Sequence, residues 1–314
     1  MKKIIAVGLT LALLLGGCGN QGDGQVAEGE IRIVTSFYPM YLLTQEVVAG
    51  IDGITVENMA QPETGCLHDY QLTMEDRKVL EHGGVLILNG GGMESFLPDV
   101  EEMGSMVLLD ASEGIEGLAM EGHEHDHEEE VNDHGEEVDD HEGHSHGDVN
   151  AHFWLSPKRA TQQVENIAEK LGEAYPQHAD VFLANGERFA AQVHGLEERV
   201  EAIDADHAHI AIFHEGFYYF TELFDFHAVI ALFPEEHAVP SARDLVAATE
   251  TAKTEDVWLF FAAEDAGLKY AKLLAEEVHG QVILLDSLTG EGTGGYLSRM
   301  EANINVIESG IRER

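Results

Sequence analysis

The chain has 314 residues, 59 of them acidic and 17 basic, for a formal net charge of −42 at pH 7. An apolar share of 44% lies in the globular range, so the charge does not signal a disordered chain. It argues against a nucleic-acid partner, since phosphates would be repelled over most of the surface, and it suits a protein that draws in cations. The length is that of about two domains. Residues 121–148 hold 13 of the acids and seven histidines, with no Lys or Arg.

From the N-terminus, Lys2 and Lys3 precede an apolar run from Ile4 to Leu15 that is too short to span a bilayer. Residues 1–17 therefore read as a signal peptide. Leu15-Gly16-Gly17-Cys18 resembles the lipobox of bacterial lipoproteins, which makes Cys18 the lipidated first residue of the mature chain. Residues 18–30 are rich in Gly, Gln and acid and read as a tether. Acylation of Cys18 leaves Cys66 as the remaining thiol, so no intramolecular disulfide is expected. Cys66 stands two residues before His68 and reads as a small loop residue more readily than as a ligand.

Residues 31–155 have an α/β pattern. Strands are expected at 31–36, 54–57, 85–88 and 106–109, with a helix over 40–49 and a short one capped by Thr73. The 121–148 insertion has no apolar period and cannot build a core. Residues 156–204 are helical. Ser156-Pro157 opens one helix, and a second, long one runs from about Pro176 to Ile203 as a spine between lobes. Residues 205–314 repeat the pattern, with strands at 209–213, 226–232, 257–261 and 281–285 and a terminal helix over 296–311. The expected fold is α/β: two lobes, each with a roughly four-stranded parallel sheet, joined by a long helix, with the ligand site in the interlobe cleft.

Ligands of open α/β sheets gather at the carboxyl ends of strands. Four donors sit at such places: His68 after the second strand, His152 before the capped helix, His214 after 209–213 and Asp286 after 281–285. Three imidazoles and a carboxylate make a Zn²⁺ shell, and Mn²⁺ would also fit.

Several motifs then resemble one family. Val34-Thr-Ser-Phe-Tyr-Pro-Met-Tyr-Leu-Leu43, His68-Asp69-Tyr70, Asn89-Gly90 with Glu94, Ala151-His-Phe-Trp-Leu-Ser-Pro157, Phe213-His-Glu-Gly-Phe217, Pro240-Ser-Ala-Arg243 and Leu285-Asp-Ser-Leu288 are similar to the metal-binding lipoproteins of ABC importers, the cluster A-I solute-binding proteins. The resemblance implies metal ligands at His68, His152, His214 and Asp286. Histidine rather than glutamate at 214 and a His-rich acidic insertion imply zinc over manganese. Cys66-Leu67-His68 departs from the family's Pro-His or Glu-Pro-His, Ser287 stands for a proline, and Phe261-Ala-Ala-Glu264 replaces a Glu-Pro-Gln-like segment. Glu215 or water remains an alternative fourth donor.

The resemblance implies a monomeric protein on the outer face of the cell membrane, held by lipid on Cys18, that captures Zn²⁺ and passes it to an ABC permease. His123, His125, His127, His134, His141, His144 and His146 would supply weaker zinc sites in the insertion. Residues 82, 178, 194, 207, 209, 227, 237 and 279 are read as surface or structural histidines. A zinc-dependent hydrolase is the competing class, but the chain has no His-Glu-x-x-His helix, nucleophile elbow or phosphate loop. No catalytic residue and no bound organic cofactor is expected.

Overall fold

The computed structural model describes residues 31–62, 65–67, 70–104, 106–119, 149–233 and 239–314. The signal peptide, Cys18, the tether, His68, His237 and the 121–148 insertion lie outside the described residues.

Two parallel four-stranded sheets organise the chain. The first contains β1 (Ile31–Thr35), β2 (Ile54–Asn58), β3 (Val85–Leu88) and β4 (Val107–Asp110), in the order β2-β1-β3-β4. The second contains β5 (His209–Ile212), β6 (His227–Ala231), β7 (Leu259–Ala262) and β8 (Gln281–Leu284), in the matching order β6-β5-β7-β8. All four residues of β3 and of β7 are buried, as unbroken apolar runs in parallel sheets require. Each order reverses direction beside its first strand. The crevices there open at the carboxyl ends of β1 and β3 and of β5 and β7.

Helices cover the sheets. They are α1 (Tyr38–Val48), α2 (Met74–Glu81), α3 (Leu97–Met103), α4 (Pro157–Ala174), α5 (Ala179–Glu201), α6 (Tyr218–Phe224), α7 (Ala242–Thr254), α8 (Leu268–Val278) and α9 (Tyr296–Arg312). Thr73 and Asp76 close a reciprocal capping box on α2. Ser156 caps α4, with Pro157 in its first turn. The expected long helix is shorter at its start, because Pro176–His178 form a 3₁₀ turn before α5 begins. Its 23 residues still span about 34 Å. Near its start Asn185 donates to the carbonyls of Val47 and Ala49, capping α1, and Phe189 packs on Tyr296 of α9. The spine therefore touches both halves.

One continuous core contains Ile33 and Ile87 of the first sheet, Phe182 and Phe189 of α5, and Ile210, Ile212 and Phe261 of the second sheet. The other face of the second sheet packs separately, with Ala211, Phe213 and Phe260 against Ala271 and Leu274 of α8. The alternation of Ile210 and Ile212 with Ala211 and Phe213 is the strand period of two.

The segment 149–155 is fastened to the second half by its own backbone and side chains. Trp154 is fully buried, donates from Nε1 to the Ser287 carbonyl at 2.8 Å, and accepts the Tyr296 hydroxyl on its own carbonyl at 2.8 Å. The Asn150 carbonyl accepts the Tyr219 hydroxyl at 2.5 Å. An antiparallel bridge pairs Ala119 with Val149. Among the described residues, no helix is long and apolar enough to cross a membrane.

Candidate metal centre

Glu94 fills the crevice of the first sheet. Its carboxylate accepts from Ser36 Oγ at 2.8 Å, the Asn89 amide at 2.7 Å and the Gly90 amide at 3.1 Å. Burial pushes its pKa up to about 7 against these bonds. Gly90 has φ +79°, and a side chain there would meet Asp110 Oδ1 at 2.0 Å, so this turn tolerates only glycine. The crevice is occupied by the protein's own acid and has a structural role.

Donor atoms gather instead between the halves. His152 is fully buried and precedes the 3₁₀ turn Phe153–Leu155. The Asn150 amide sets its tautomer. Asn150 Nδ2 donates to the Glu215 carbonyl at 3.0 Å, which leaves Oδ1 to accept both the His152 backbone amide at 3.1 Å and ring Nδ1–H at 2.9 Å. The Nε2 lone pair of His152 then faces Cys66, whose Sγ lies 3.3 Å away. His214 stands two residues past the end of β5 and is also buried. Its Nε2 lies 3.8 Å from the same sulfur. The two rings meet edge to face, with centroids 5.1 Å apart.

Cys66, His152 and His214 form the group of potential metal donors among the described residues, with ligand atoms all within 4.8 Å of one another. Trp154 lies against the His152 ring at 5.0 Å and Phe217 against the His214 ring at 4.9 Å, so each imidazole packs on an aromatic ring. A Cβ on Gly216 would fall 2.9 Å from the His152 ring and 2.6 Å from Leu155, so the close approach of the halves needs glycine here.

The Gly216 amide donates to His214 Nδ1 at 3.1 Å. That bond keeps the ring proton on Nε2, the nitrogen nearer the sulfur. A cation held at Nε2 moves the proton to Nδ1 and exchanges the Gly216 contact for a metal bond.

A cavity of about 630 Å³ leads from Cys66 and His214 past Pro62 and Gly65 to Asp286, Arg299, Glu264 and Glu291. Acids outnumber bases along it, which suits a cation route. Asp286 lies on this cavity but outside the donor group. Arg299 holds it in a fork, Nε to Oδ2 and Nη2 to Oδ1, both at 2.6 Å. The Leu288 amide adds a 2.8 Å bond to Oδ1, and Asn303 bonds both the amide and the carbonyl of Asp286. Glu215 is buried, and its Oε1 has no hydrogen-bond partner among the described residues, but its carboxylate also lies outside the group.

Of the four donors expected from sequence, the structure brings His152 and His214 together, leaves Asp286 with Arg299, and does not describe His68. It adds Cys66, which the sequence presents as a small loop residue. A usable signal was present: residues two apart in an extended segment share a face, and Cys66 is two from His68. Asn150 bears the same spacing to His152.

The fold and site define a class: a two-lobed α/β binding protein whose candidate metal donors come from both halves. Residues 33–310 match the family described as ZnuA, zinc-uptake complex component A, periplasmic, and the chain belongs to it. It is 26% identical over 317 residues to the zinc-binding protein AdcA of Streptococcus pyogenes serotype M3, covering 98% of this chain and 61% of that protein. It is 29% identical to the high-affinity zinc uptake system protein ZnuA of Bacillus subtilis, covering 95% and 94%. The chain thus spans about three-fifths of the length of the AdcA relatives it matches. A crystal structure of ZnuA superposes with a TM-score of 0.73 at 23% identity, over 90% of this chain and 99% of that one. The solute-binding protein FpvC of Pseudomonas aeruginosa, in complex with Ni²⁺, gives 0.73 at 20% identity, over 90% and 97%. These likenesses establish the two-lobe fold.

Proposed function

We propose that the chain captures Zn²⁺ outside the cytoplasm, tethered to the membrane by lipid on Cys18, and delivers it to the permease of an ABC importer. The observation that carries this reading is the meeting of two buried imidazoles, His152 and His214, one from each half, at the end of an acid-lined cavity. Membership of a zinc-uptake family supports it, as do relatives named as zinc-binding and zinc-uptake proteins, one of them a lipoprotein.

Nitrogen donors favour zinc over manganese. His68 completes the imidazole set. Asp286 can join only by leaving Arg299. The histidines of 121–148 gather zinc weakly and feed the tighter site. The role is capture and release, with no bond made or broken in a substrate.

Elemental analysis of protein purified from cells, followed by Zn²⁺/Mn²⁺ competition on the wild type and on His214→Ala, tests the reading. Zinc at one tightly held equivalent, lost in the variant, is expected. Manganese preference, or unchanged zinc affinity in His214→Ala, refutes it.

A further inference from the structure

We infer that Cys66 is itself a ligand of the captured ion, with its thiolate standing beside His152 and His214, while Asp286 stays with Arg299. This rests on the metal-capture reading above.

Three observations carry it. The first is distance. In a tetrahedral zinc site with Zn–N of about 2.05 Å and Zn–S of about 2.3 Å, nitrogen and sulfur ligands stand about 3.6 Å apart. Cys66 Sγ stands 3.3 Å from His152 Nε2 and 3.8 Å from His214 Nε2, one on either side of that value. Both sulfur–nitrogen contacts therefore already have the span of two ligands on one ion, and binding further requires the His214 proton to pass to Nδ1.

The second is the state of Asp286. Both its oxygens are engaged by Arg299, whose side chain is only 5% exposed. Withdrawing the carboxylate to a metal would strand a buried cation, the costly way to break such a pair. The third is the sequence around the loop. Cys66-Leu67-His68 departs from the Pro-His or Glu-Pro-His of the resembled motif, and the departure puts a thiol two residues before the expected first ligand. Leu67, wholly buried, fixes this loop through its carbonyl, which accepts from Ser95 Oγ at 3.2 Å and the Tyr70 amide at 3.1 Å.

On binding, the sulfur–metal bond forms as the thiol proton leaves to solvent. A soft thiolate in place of a hard carboxylate turns the site further towards Zn²⁺ and Cd²⁺ and away from Mn²⁺.

The test uses the full chain and Co²⁺ as the probe, read on the first equivalent bound. A strong thiolate-to-cobalt charge-transfer band in the near ultraviolet is expected. It persists in Cys18→Ser and disappears in Cys66→Ser. In chelator competition Cys66→Ser loses zinc affinity by about a hundredfold, the upper end of what even an outer-sphere partner of a metal site is worth, and Asp286→Asn stays within about threefold of wild type. A wild-type Co²⁺ complex without the sulfur band overturns the assignment, whatever the variants do. So does a Cys66→Ser affinity within threefold of wild type. One tight equivalent without the band sinks only the ligand assignment. No tight equivalent at all sinks the capture reading with it.

Discussion

Asn150→Ala removes an amide that never needs to touch the metal. Its side chain is 2% exposed and makes three hydrogen bonds, two accepted from His152 and one donated to the Glu215 carbonyl. Alanine leaves two donors and one acceptor in a dry pocket. At about 1 kcal/mol for each neutral bond, the loss of folding stability is about 3 kcal/mol. The binding loss has a separate origin. Without Oδ1 the ring of His152 is free to place its proton on Nε2, the nitrogen the cation needs. Partners of this kind are worth about 10- to 100-fold in metal affinity, or about 1.4–2.8 kcal/mol. Zinc affinity from chelator competition and metal-free stability from urea unfolding separate the two effects. Asn150→Asp keeps the acceptor and should recover most of the affinity. If Asn150→Ala folds and binds zinc as wild type does, His152 is not oriented as described and its place as a ligand is lost.

Gly216→Ala puts a methyl group into the His152 ring, and zinc affinity is expected to fall at least tenfold with a lower melting temperature, checked by the same competition and by calorimetry. Loading zinc should shift the Gly216 amide resonance, because its acceptor, His214 Nδ1, gains a proton; an unmoved resonance places the metal elsewhere. Glu94 titrates near 7 when folded and near 4.5 when unfolded, so its stabilising contribution is complete below about pH 4.5 and is lost as pH rises through about 7. Relative to Glu94→Gln, the wild type should lose about 3 kcal/mol between pH 4.5 and 8, read from denaturant midpoints. Deleting 121–148 should remove the weak zinc sites and leave the tight one, as titration calorimetry would report.

Local chemistry made much of the fold legible. Val85–Leu88 and Tyr296–Arg312 lie where their apolar patterns place them, and Thr73 and Ser156 cap the helices they were expected to open. The shared parallel architecture follows from strands alternating with helices. α3 escaped notice because a glycine run and Pro98 read as loop, while the seven-residue helix beyond them is too short to show a period. The candidate site was half legible. His152 and His214 stand at element ends, where position in the chain implies position in space. Arg299 gave no sign of its claim on Asp286, because the two meet across 13 residues and through α9. Cys66 was visible but unweighted, since a lone thiol acquires meaning only from what packs beside it.

The fastening of Trp154 to Ser287 and Tyr296, and of Asn150 to Tyr219, has a consequence for how the protein melts. Two sheets of equal size and order invite the expectation of two separable folding units. Yet residues 31–314 form a single compact unit, and one apolar core runs through both sheets. Neither half could keep its inner face dry alone: Phe189 would lose Tyr296, and the indole of Trp154 its carbonyl partner. The duplicated pattern thus yields one cooperative transition rather than two. A polypeptide cut between α4 and α5 should give fragments that gain structure only when mixed.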